Sequence, residues 1–211
     1  MENIGYRTRH RFAPHTEIIA MNKTSLFYGS LAASLFFAGM ASAQDTPVKD
    51  QVALMTDAKA QKLTGIARKT KDVDARPAVA GEVIVTIIKG EGVETKSKPA
   101  EAGDWVVRNR CPETGNEEIL VKAAKFPQRY GEAQSKADAQ GYSAFKPLGS
   151  EMNYFIVSEK TGAFTFTAPW GESMVAKPGD AIVQVPSDEK DTYRIAASSF
   201  KCTYEIVSPA P

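Results

Sequence analysis

Two carboxylates recur in the same local setting: Asp104 in "AGDWVV" and Asp180 in "PGDAIV". A carboxylate pair can do acid–base chemistry, and two acidic turns brought together can hold Ca²⁺. A calcium site needs about six to eight oxygens, and neither Asp stands in a denser acidic cluster. Each follows a glycine, which permits positive φ, and an Asp there can close an Asx-turn on the next backbone amides. Gly103, Asp104, Gly179 and Asp180 are therefore expected to build turns, one pair in each of two similar segments. Ser187 and Lys190 match S-x-x-K, a spacing that works where a helix sets the ammonium beside the hydroxyl. Here the pair falls in a predicted hairpin turn without its S-D-N and K-T-G partners, and a solvated turn is expected.

Both histidines, His10 and His15, precede Met21. The rest of the chain therefore lacks Ser-His-Asp and Cys-His catalysis and the commonest ligand of catalytic zinc and iron. No metal and no cofactor are expected. Two cysteines remain, Cys111 and Cys202. In an exported chain an even count reads first as a disulfide. A bridge would close a loop of about 90 residues, worth up to about 4–5 kcal/mol in the chain-entropy model. Two buried free thiols are the alternative; a reactive thiol has no histidine to activate it.

Lys23, the apolar run "LFYGSLAASLFFAGM" from Leu26 to Met40, and "ASA" from Ala41 to Ala43 stand in the order of a secretory signal. The apolar run, about 15 residues, falls short of the roughly 20 that span a bilayer. Residues 21–43 are thus expected to be cleaved between Ala43 and Gln44 rather than kept as an anchor. No Cys at that point offers a lipid attachment. Residues 1–20 are polar, hold three Arg and precede a second Met. They read as an over-extended reading frame; a cytoplasmic extension of an anchor is the other reading. Removing residues 1–43 takes away Arg7, Arg9, Arg11 and Lys23 against Glu2 and Glu17, so the net charge moves from +1 to −1. No basic face is offered to nucleic acid. The expected location is periplasmic or secreted, with no stable membrane insertion after cleavage.

The elements that position these residues also recur. Phe126 and Tyr130 match Phe200 and Tyr204; Ile119, Val121 and Ala123 match Tyr193, Ile195 and Ala197; upstream, Pro77 aligns with Pro147. Each copy should begin with a strand, Glu82–Lys89 or Asn153–Lys160. Copy two then adds a second strand on the alternation of Phe164 and Phe166. After the Gly-Asp turn come Trp105–Asn109 or Ala181–Val185, a polar hairpin turn, and Glu118–Ala123 or Thr192–Ala197. A helical turn then sets Phe and Tyr, four apart, on one side. Ahead of the repeat, Val52, Met55, Leu63 and Ile66 share a helical face, weakened by Lys59 within it and by Gly65. The sequence thus predicts a mainly β, α+β chain of two similar small modules from an internal duplication. The expected divisions are a short helix and loose lead at 44–74, a module at 75–131, a polar linker at 132–144 and a module at 145–208.

In copy two, "KPGDAIVQV" and "TYRIAASSFKCTYE" preceded by "APWGE", and in copy one "EAGDWVV" and "AAKFPQRY", resemble the small bacterial and phage modules named for a Pro-Gly-Asp-Tyr-Gly motif, the PGDYG family. The likeness covers most of Pro77 to Val207. It departs from the motif at Trp105 and Ala181, which stand where the family has Tyr, and no Gly comes next. The resemblance implies a fold and no particular activity.

Trp170, on a predicted turn, can stack on a sugar or peptide or cap a sheet edge; Trp105, opening a strand, is expected in the core. Arg129 and Arg194, with Tyr130 and Tyr204, can line a polar groove between the copies or cover the core with their stems. The expected function is an exported, non-enzymatic protein that binds a protein, peptide or envelope component at the seam between copies, where pockets tend to form. One alternative is a carboxylate-dependent cell-wall glycan hydrolase, which needs two carboxylates about 5–10 Å apart. The other is a structural envelope subunit that buries the seam in an assembly.

Overall fold

Asp50 opens the first helix. Its carboxylate accepts from the amides of Val52 and Ala53 at 2.8 and 3.1 Å and so caps α1 (Gln51–Ala60). Met55 and Ala58 are buried on its inner side. The computed structural model describes residues 46–211, which belong to one compact unit. The leader, its cleavage site and the extension before Met21 lie outside the described residues. No helix among the described residues is long and apolar enough to cross a membrane.

The helix ends sooner than its apolar face predicted. Lys62 takes φ 58°, Leu63 is exposed, and Ile66 lies in a strand. In place of a loose lead, the chain then forms two strands, β1 (Gly65–Lys69) and β2 (Val73–Pro77). Their buried positions hold Gly65 and Ala67, then Val73 and Ala75. Small side chains leave little apolar alternation to see in the sequence, although the backbone ladder forms fully.

The chain continues through β3 (Val85–Ile88), β4 (Gly92–Lys96), β5 (Trp105–Asn109), β6 (Glu118–Val121), α2 (Phe126–Arg129), β7 (Tyr130–Ala133) and β8 (Ser143–Pro147). Then come β9 (Glu151–Ile156), β10 (Phe164–Thr167), β11 (Ser173–Ala176), β12 (Ala181–Val185), β13 (Asp188–Ile195), α3 (Ala197–Thr203) and β14 (Tyr204–Ser208). The protein is mainly β. Two antiparallel five-stranded sheets run in the orders β6-β5-β2-β8-β7 and β13-β12-β9-β1-β14, and β3-β4 and β10-β11 form two separate ribbons.

The two orders correspond position by position, and they exchange strands. β1 leaves its chain neighbour β2 and inserts between β9 and β14; β8 leaves β9 and inserts between β2 and β7. The sequence divisions at 75 and 145 therefore cut through strands, and each sheet takes one strand from outside its expected segment. The expected linker at 132–144 is the turn of the β7–β8 hairpin, closed where Asp138 accepts from the amides of Gln140 and Tyr142. Pro77 and Pro147 are not equivalent: they end β2 and β8, neighbouring strands of one sheet. Register instead sets Val73, Ala75 and Pro77 in the places of Met152, Tyr154 and Ile156. Residues Glu82–Lys89 supply no sheet strand either; they enter the β3–β4 ribbon, and the second strand expected in copy two pairs with β11 as a like ribbon.

Each sheet has an apolar cluster on both faces. One face of the first holds Val73, Ala75, Val107, Val121, Phe126, Tyr130 and Phe145, and the other holds Ile84, Val106 and Tyr142. In the second sheet, Ala67, Met152, Tyr154, Val183, Tyr193 and Phe200 pack on one face. The other face packs Phe155, Val157 and Ile182 beneath Phe164, Phe166 and Met174 of the β10–β11 ribbon and Met55 of α1.

Candidate functional site

The two Gly-Asp turns have the same construction. Gly103 and Gly179 take φ of 90° and 92°, where a side chain would be strained. Asp104 is 1 % exposed; it accepts from the amides of Glu101 at 2.9 Å and Ala123 at 3.0 Å. Asp180 accepts from the amides of Lys177 at 2.8 Å and Ala197 at 3.1 Å. Each carboxylate thus reaches back three residues and across to the end of the returning strand, rather than to the amides just after it. Burial by itself would raise the Asp104 carboxyl; the Lys122 ammonium at 2.8 Å and the two amides outweigh it and hold the group below the ordinary range. With their oxygens so engaged, neither Asp offers a ligand set to a cation.

The cation beside Asp180 is Arg194, whose side chain is 3 % exposed. Its Nε donates to Asp180 at 2.8 Å, one terminal nitrogen donates to Glu91 at 3.0 Å, and the other donates to Glu94. Glu91 and Glu94 lie in the β3–β4 ribbon, so this arginine fastens a ribbon contributed by the first half of the chain to the second sheet. Burial pushes the Glu94 carboxyl up against the pull of Arg194. Arg194 is a buried clamp, not part of an open groove. No local sequence pattern points to Glu91 and Glu94, because "GVETK" of β4 carries no apolar alternation.

Trp105 stacks on Phe126 at 4.1 Å and 9° and meets Phe145 edge-on at 5.6 Å, which uses its ring in packing. Trp170, on the turn between β10 and β11, packs against Tyr193 at 5.6 Å, and its indole nitrogen donates to Glu172 at 3.0 Å. Glu172 also accepts from the Thr95 hydroxyl and the Lys98 amide, so Trp170 sits where the two ribbons join.

Among Trp105, Arg129, Trp170 and Arg194, it is Arg129 that lines a cleft, between α2 and the β12–β13 end of the second sheet. The cleft has a volume of about 360 Å³; Met152, Val185, Pro186 and Tyr193 supply apolar surface, with Gln128, Glu151, Ser187 and Asp191 around it. Arg129 donates to both oxygens of Asp191 at 3.1 and 3.2 Å, Lys125 donates to the same carboxylate at 3.0 Å, and the guanidinium lies 5.1 Å from the Tyr193 ring. Behind it a polar cluster occupies the seam. The Tyr193 phenol and Asp191 hold the Arg129 guanidinium above its usual range, although burial acts against them. Burial raises the phenols of Tyr130 and Tyr204. Lys69 donates to Asn109 at 2.6 Å and lies over the Tyr204 ring; desolvation lowers its ammonium to about 8, opposed by Glu117 and aided by Arg129. Glu117 in turn accepts from Asn109 at 2.8 Å, from Ser199 at 2.7 Å and from Thr114.

Cys111 and Cys202 are disulfide-bonded, joining the β5–β6 loop to α3. Glu113 lies near both sulfurs, but sulfurs bonded to each other are not thiolate ligands. A second cleft of about 460 Å³ lies beside the bridge, lined by Lys71, Asp74, Arg108, Asn109 and Arg110. Its arginines are occupied: Arg110 pairs with Asp74 at 2.6 Å, and Arg108 pairs with Glu118 at 2.9 Å over the Tyr142 ring. Ser187 and Lys190 are exposed at the β12–β13 turn, with no helix to orient them. No family model, curated protein or solved structure matches this chain.

Proposed function

We propose that this is an exported, non-enzymatic protein of two degenerate PGDYG-type modules that binds a protein, peptide or other envelope component in the seam cleft. The cleft carries the reading. It draws α2 from one half of the chain and the β8–β9 and β12–β13 turns from the other, and it combines an apolar floor with an anchored Arg129–Asp191 pair. Pockets between packed units are common ligand sites. The matching strand orders support the duplication. The leader pattern and the disulfide support an oxidising compartment outside the cytoplasm. The lack of histidine after His15, and the engagement of Asp104, Asp180 and Glu117 by fixed donors, favour binding over catalysis.

A photo-crosslinking residue placed at Gln128 or Ser187, both exposed on the cleft rim, should give a discrete adduct in cells that export the chain, and one placed at Lys62 should not. No adduct from either rim position would end the binding reading. The mass of the exported protein should equal Gln44–Pro211 less two hydrogens. A second reading rests on Glu151 and Asp191, two carboxylates lining the same cleft, as a glycan hydrolase would require. A clearing band on cell-wall material, lost in Glu151→Gln, would establish that alternative.

A further inference from the structure

The segment of residues 83–88, which leads into and forms β3, has apolar side chains on both of its faces. Ile84 and Ile88 are buried, whereas Val83, Val85 and Ile87 point outward, Ile87 with 54 % exposure. On β4 the cross-strand partner of Ile87 is Val93, 66 % exposed, and the partner of Val85 is Lys96. Cross-strand partners share a face, so these side chains form one surface. An antiparallel ribbon with one face in water ordinarily turns polar residues outward; this one does not.

The charges of the ribbon are sorted as well. Glu91 and Glu94 turn onto Arg194, and Glu82 pairs with Arg76. Lys89 and Lys96 are exposed and form no salt bridge among the described residues. The ribbon therefore presents an apolar stripe edged by free ammonium groups, while its carboxylates are paired with arginines.

We propose that the outer face of the β3–β4 ribbon docks on an anionic lipid bilayer. Its valine and isoleucine side chains enter the headgroup boundary, and Lys89 and Lys96 meet lipid phosphates. Charge complementarity selects this occupant. A second copy laid face to face would set lysine against lysine. No residue of this face lines the seam cleft or the cleft beside the disulfide, and a bilayer needs no concave seat. The contact is peripheral, combining shallow apolar insertion with attraction to a negative surface. It does not depend on the seam-binding reading.

The test uses the exported chain with its disulfide intact and vesicles of phosphatidylcholine, with or without phosphatidylglycerol. Sedimentation should carry the protein down with the anionic vesicles only, and less so as salt rises. Ile87→Thr with Val93→Thr keeps the β-branched shape and should weaken partition by about tenfold; Lys89→Glu with Lys96→Glu should weaken it further. Unchanged thermal unfolding of these surface variants separates lost docking from lost fold. Val207→Thr, an exposed change on β14, should bind as the parent does. Failure to sediment with phosphatidylglycerol at low salt overturns the proposal. So does partition indifferent to both pairs of substitutions, or lost equally in Val207→Thr.

Discussion

Buried carboxylates in this protein respond to pH in opposite directions, and the direction is set by each one's partners. Glu94 is raised chiefly by burial. A carboxyl whose folded pKa exceeds its unfolded value near 4 stabilises the fold most below that value, and the contribution is lost as pH rises through the folded pKa. Glu94→Gln keeps the site neutral, so it should melt at or above the parent at about pH 8, with the advantage fading towards about pH 4. Asp104 has the contrary sign, because Lys122 and two amides outweigh its burial. Its contribution is present above about pH 4 and lost as pH falls through the folded pKa. Asp104→Asn should lower Tm at about pH 7, and the gap should close in acid. Lys69 should titrate with a midpoint near 8 by side-chain NMR, well below the ordinary lysine value, since desolvation outweighs the pull of Glu117. At this scale the turns at Gly103 and Gly179 were legible in the sequence, because positive φ is a local matter, whereas the amides of Ala123 and Ala197 that Asp104 and Asp180 reach were not, since they lie at the returning strand's end. Glu94 and Lys69 were not, since their environments are made by strands far away in the chain.

At the scale of elements, the informative piece is β1. Five residues of modest apolarity take an interior place in the second sheet. Gly65 permits this. A Cβ there would come within 2.5 Å of the Ser208 carbonyl oxygen and the Ala210 amide, and 2.6 Å of the Tyr154 ring. Gly65→Ala should therefore cost about 3 kcal/mol, a fall of roughly 10 °C in Tm, readable by thermal unfolding. β5 and β12 were visible in sequence because runs such as "WVVRN" and "AIVQV" are buried by their own bulk. β1 and β2 leave no such trace, because alanine, glycine and paired charges carry a ladder without apolar alternation.

For the whole molecule, the exchange of β1 and β8 makes the two sheets interdependent. A fragment of residues 145–208 lacks the strand between β9 and β14 and should not fold alone, which circular dichroism would show. The complete chain should unfold in one transition seen by both near- and far-ultraviolet signals. Replacing both cysteines by serine removes a bridge of sequence separation 91. That should cost up to about 4–5 kcal/mol and still leave a single transition, because the exchanged strands hold the halves together without it. The mainly β class, the two glycine turns and the pair of cysteines were all determined by local sequence, through side-chain periodicity, turn chemistry and residue count. Which sheet each strand joins, which carboxylates close on Arg194, and where a cleft opens were decided by tertiary structure alone. Strand pairing is made of backbone hydrogen bonds that every residue but proline can offer, so no local pattern names the partner.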